Sequence, residues 1–215
     1  MDSIKFTFGL FDQAVLLLTG LTAIYLIWRF VQHIGKEEGT PSYDVYYIVS
    51  FAVLLVSGLL LIFYSYDILA NPLVVVIAYL IPLGLSLGLV AEFYQKYEKT
   101  YLLVGIIGII LIAVTRLAGV GGPGLATFVL ALFHTIGGLL IVFIPLFVTK
   151  DNRVPKGFIW VSVGGVLIDI GGISLAFLKA GAPILPADVI FTILAPLLLL
   201  MTLAYTWGFM KKMHA

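Results

Sequence analysis

The sequence predicts an all-α, polytopic integral membrane protein, a bundle of seven transmembrane helices. Three observations carry that expectation. Of 215 residues, 62% are apolar and 11% charged, against roughly 45–50% and ~25% in soluble globular domains. The chain therefore lacks the polar surface that a water-soluble domain of any fold requires. Apolar runs recur at the length needed to cross the hydrocarbon core, about 20 helical residues each. Charged residues fall between those runs: none lies between Asp44 and Asp67, Asp67 and Glu92, Arg116 and Lys150, or Asp188 and Lys211.

Taken in order, the first span covers residues near 9–33, with Asp12 and Arg29 towards its two ends. The second, 46–66, is bounded by Asp44 and Asp67. The third, 72–94, opens on Pro72, a residue suited to the first turn of a helix, and ends around Glu92. The fourth, 101–118, runs from beyond Lys99 to the glycine-rich turn Gly119–Gly124. The fifth, 125–149, stops at Lys150; the sixth, 157–178, lies between Lys156 and Lys179; the seventh, 186–210, runs from Pro186 to the Lys211–Lys212 pair. Connections are short, so residues 1–215 read as a single transmembrane domain. Lipid offers no hydrogen-bond partners, so each span must satisfy its own backbone; helices do so, and the alternating ten-residue segments of a barrel are absent. The stretch Met1–Leu10 has neither the basic region nor the cleavage site of a signal peptide.

Lysine and arginine set the expected orientation. Arg29, Lys36, Lys96, Lys99, Lys150, Arg153, Lys156, Lys211 and Lys212 fall on one side, and Lys5, Arg116 and Lys179 on the other. The bias places the N-terminus outside and the C-terminus in the cytoplasm of a multi-pass cell-membrane protein. Trp28, Tyr46, Tyr47, Tyr94, Tyr97, Trp160 and Trp207 gather at the inner interface, and Tyr64 and Tyr66 at the outer, as aromatic anchors do.

An offset of 114 lays Pro72 and Pro82 on Pro186 and Pro196, and Gly58 on Gly172. The matches raise a parallel 3+1+3 repeat with the fourth span as linker. That arrangement is similar to the SWEET sugar carriers, whose site lies between the halves, although their Pro-Gln pair is missing here. Microbial rhodopsins also have seven spans, but residues 186–210 hold no lysine for a retinal Schiff base.

Ionisable groups inside a span are costly and are functional candidates by default. Asp169 stands roughly 18 Å into the sixth span at 1.5 Å per residue, near the midplane. It lies on a stripe of small residues, Ser162, Gly165, Gly172 and Ala176, which lets a neighbouring helix approach closely. His134 enters from the outer side to a similar depth in the fifth span, followed by Gly137 and Gly138. If these helices meet through their glycines, an imidazole–carboxylate pair forms. Arg116, near the outer end of the fourth span, either snorkels to water or reaches down to Asp169. Glu92 and Lys96 have the spacing of an interfacial i,i+4 pair. Pro82 and Pro196, in mid-span, each remove a backbone hydrogen bond and are candidate kinks. Gly84 and Gly88 mark a further close-packing face.

Other chemistries are missing. With no cysteine, disulfides, thiolate metal sites and a Cys nucleophile are excluded. His33, His134 and His214 sit at unmatched depths, which disfavours a bis-histidine haem. No zinc-protease, nucleophile-elbow, phosphate-loop or dinucleotide motif occurs, so no catalytic residue, metal or cofactor is expected. A net charge of +1 gives no basis for nucleic-acid binding. The scarcity of asparagine and glutamine fits either a thermophilic origin or simply a lipid-buried chain. The expectation is a small-solute or proton/ion transporter; the alternative is a non-catalytic accessory subunit of a larger membrane complex. Lipid, partner subunits or further copies of the chain would be its contacts.

Overall fold

A computed structural model describes residues 8–35, 39–179, 181 and 183–214; Lys5 and Lys36 of the orientation count lie outside them. The described residues form eight α-helices and three short 3-10 turns. These are α1 (Leu10–Ile34), α2 (Ser42–Tyr64), α3 (Pro72–Ala78), α4 (Leu80–Phe93), α5 (Glu98–Leu117), α6 (Gly122–Lys150), α7 (Trp160–Lys179) and α8 (Ala187–Met213). Counting α3 and α4 as one, seven helices are long and apolar enough to cross a membrane. Their outward faces carry exposed large apolar side chains such as Leu17, Ile24, Ile110, Phe143 and Leu203, which suits a lipid surround.

Helix ends differ from the expected spans where local chemistry sets them. The second span begins at Ser42, just after Pro41, so Asp44 falls inside the helix. The third begins on Pro72 behind Asn71, whose side chain accepts from the Leu73 amide. At Tyr79 one bond is missing, while the backbone stays α-helical and the Tyr79 amide and carbonyl still bond Val75 and Leu83. Pro82 has no N–H to give the Ala78 carbonyl, which removes the bond that would carry the helix through this turn. Pro196 also sits within a helix, and so does Pro145 in α6; both α8 and α6 run through them.

Six of the spans close a ring: α1 packs on α2, α2 on α4, α4 on α6, α6 on α7, α7 on α8, and α8 back on α1. α5 lies outside, against α3, α4 and α6. Glycines set the close approaches. Gly84 and Gly88 lie against Ser50 and the Tyr47 ring of α2, and Gly164 against the Tyr205 ring of α8. At one end of the ring, Phe30, Tyr47 and Phe209 form an aromatic core, with centroids 4.7–5.2 Å apart. Gly58 and Gly172, aligned by the 114-residue offset, have different surroundings. A Cβ at Gly58 would meet nothing within 4 Å, whereas one at Gly172 would strike His134.

Candidate functional site

Helices α6 and α7 run antiparallel and interlock through two reciprocal contacts. The His134 imidazole lies on Gly172, and the Asp169 carboxylate lies on Gly138; in each place a Cβ would collide with the polar side chain. Gly165 continues the seam against Ile141 and Val142. Gly137, next to Gly138, turns instead towards α4, where its Cα faces the Pro82 carbonyl. The two adjacent glycines thus let α6 approach two helices at once.

This packing brings His134 Nε2 to 4.0 Å from Asp169 Oδ1. The separation is an electrostatic contact and is too long for a hydrogen bond. Both side chains are mostly buried, at 16% and 19% exposure; the two facing atoms meet no hydrogen-bond partner of good geometry, and the Ile168 backbone is the nearest polar neighbour of the imidazole. The Tyr205 hydroxyl, equally unpartnered, lies in the field of Asp169. Buried polar atoms with no partner are uncommon, and each calls for an explanation.

The pair also divides space. Asp169 borders a groove of about 430 Å³ formed by α7 and the segment before α8, with Ile184 and Leu185 on its far wall. His134 borders two other cavities. One, of about 160 Å³, lies among α3, α6 and α7. The second, of about 150 Å³, sits at the ring's centre, with Leu16, Leu54, Pro82, Gly171 and Leu198 among its lining. Its polar side chains are Thr19, Ser57 and His134. Comparison with family models, curated proteins and solved structures finds no match. The reading therefore rests on geometry.

Of the other residues singled out, Arg116 and Asp169 form no ion pair among the described residues; Nε and one terminal nitrogen of Arg116 are buried without partners. Glu92 pairs with Lys212, not with Lys96, and accepts from the Tyr47 hydroxyl at 2.9 Å. Lys96 lies over the Tyr97 ring. Tyr47 is fully buried, a core residue and not an interfacial anchor. No cluster of three or more metal-ligating side chains occurs among the described residues.

A second polar cluster escaped the sequence reading. Lys212 of α8 is surrounded by the rings of Tyr43, Tyr47, Phe93 and Phe158, at 5.6–5.9 Å from their centroids. Cation–π attraction and the Glu92 carboxylate hold its ammonium together. Beside it His33 Nδ1 meets Asp44 Oδ2 at 2.8 Å, and Asp44 is only 1% exposed. The linear signal was faint: Tyr43, Asp44 and Tyr47 recur on one helical face, but their cation stands 165 or more residues away.

Proposed function

We propose that this chain moves a proton, ion or small solute across the membrane, with Asp169 as the central ionisable group and His134 its neighbour. One observation carries the reading. A carboxylate and an imidazole, each with a partnerless buried atom, stand side by side between a groove on Asp169's flank and cavities on His134's flank. Intramembrane ionisable groups so placed mark ion and proton pathways. Pro82 loosens the third span beside them, and Pro196 weakens the seventh. In the same reading the N-terminus is outside and the C-terminus cytoplasmic, since the basic residues favour that side. That reading also keeps the 3+1+3 repeat, with α5 as the linker between the halves in sequence.

The test is reconstitution into proteoliposomes under an imposed pH gradient, read with an entrapped pH dye. Asp169→Asn is expected to abolish pH-dependent flux while helix content and elution volume stay as in the parent. Flux equal to the parent's rejects the relay. The apolar lining of the central cavity favours a second reading, in which the pair glues helices in an accessory subunit. That reading expects stoichiometric partner subunits to co-purify from native membranes and to be lost in the same variant.

A further inference from the structure

Beyond transport, the cavity among α3, α6 and α7 has the features of a binding site. Its origin lies in the third span. On one side of Tyr79, α4 closes against α6; on the other, α3 packs on α2 and α5 and stands away from α6 and α7. A cleft of about 160 Å³ remains. Its walls include Val75, Leu130, Ile173 and Leu175, and almost all of its lining is apolar. Lys179 is its charged residue, and His134 lies where the cleft adjoins the central cavity, since both spaces share that side chain, Ala78 and Gly172.

The charge around the cleft is unbalanced. Lys179 gives one hydrogen bond to the Leu69 carbonyl, leaving two of its three donors. Arg116 lies near enough to repel it, and two of the guanidinium nitrogens are buried without partners. Among the described residues neither cation has a carboxylate within ion-pair distance. Lys179 is exposed at the rim, whereas the unpartnered nitrogens of Arg116 are shielded from water, where a cation without a counter-ion is costly. An incoming anion would meet unspent donors at the rim and a hydrocarbon-like interior behind them.

We propose that this cleft binds a single-chain amphiphile drawn from the bilayer, with an anionic oxygen headgroup at Lys179 and Arg116 and its chain inserted towards His134. Charge complementarity selects the head. The volume admits only the headward part of one chain, since an apolar cavity of about 150 Å³ holds a benzene-sized group, and this space has no polar wall for a bulky hydrophilic solute. The site does not depend on the Asp169 relay, and its test reads binding, not flux.

Protein purified in nonionic detergent is photolabelled with a diazirine-bearing C16 fatty acid, and the adducts are mapped by mass spectrometry. Saturable labelling is expected on peptides containing residues 74–79, 130–134 and 172–179. Palmitate and hexadecyl phosphate should compete, hexadecanol at least about tenfold more weakly, as the loss of a charge-assisted contact implies; inorganic phosphate should not compete. Arg116→Gln with Lys179→Gln should weaken labelling by about tenfold or more. Should that pair fail to fold, Ala131→Trp, which fills the cleft and keeps both cations, should abolish the same adducts. Non-saturable labelling, adducts elsewhere, hexadecanol competing as well as palmitate, phosphate competing alone, or variants labelled like the parent would each overturn the proposal.

Discussion

Replacing Gly138 by alanine gives the sharpest test of the α6–α7 interlock. A Cβ there falls inside the contact distance of both carboxylate oxygens of Asp169. The side chain must then rotate out of the seam or the helices must separate. Overpacking of this kind costs roughly 1–3 kcal/mol, a five- to 150-fold change in the folding equilibrium. The assay is reversible unfolding in mixed micelles of increasing sodium dodecyl sulfate, run as a double-mutant cycle with Asp169→Ala. Removing the carboxylate removes the obstacle, so most of the Gly138→Ala cost should vanish in the Asp169→Ala background, a coupling of about 1 kcal/mol or more. Gly58→Ala is the control, because its Cβ meets open space and should cost less than about 0.5 kcal/mol. If Gly138→Ala is as mild as Gly58→Ala, or if its cost persists without the carboxylate, the seam is not built as described.

Two further outcomes follow from the same structure. Glu92→Gln removes the counter-ion of the caged Lys212 and should destabilise the bundle by about 3 kcal/mol in the same unfolding assay; Lys96→Met should change it by less than about 0.5 kcal/mol. Pro82→Ala restores an N–H for the Ala78 carbonyl, so the third span should straighten and α3 should close on α7. Spin labels on α3 and α7 should then report a shorter separation by pulsed dipolar spectroscopy; an unchanged distance would mean that the proline does not hold α3 away from α7.

The seven spans were legible because lipid imposes one rule on every segment, and the charge gaps marked where each run stopped. The stripe of Ser162, Gly165, Gly172 and Ala176 does point inward, half-buried or buried along its length, while Asp169 also borders the groove beside Val166 and Ile170. Depth arithmetic on two helices brought His134 level with it. Rotation about a helix axis was harder. Tyr64 shares a sevenfold spacing with Ser50 and Ser57, yet it is 61% exposed while Ser50 is fully buried. Nothing in a uniformly apolar helix distinguishes the lipid side from the ring side. The partner of Glu92 was illegible for another reason. Lys96 was the near cation in sequence, but ring closure by α8 delivers Lys212 with four aromatic faces around it, and no local pattern announces a contact between positions 92 and 212.

Ring closure has a consequence for biogenesis. The seam between α1 and α8 joins the earliest and the latest of the ring helices to leave the ribosome, and α8 brings the ammonium that balances Glu92. Until that helix inserts, the nascent bundle is an open crescent with an acidic, aromatic notch at its edge that only the last helix can fill.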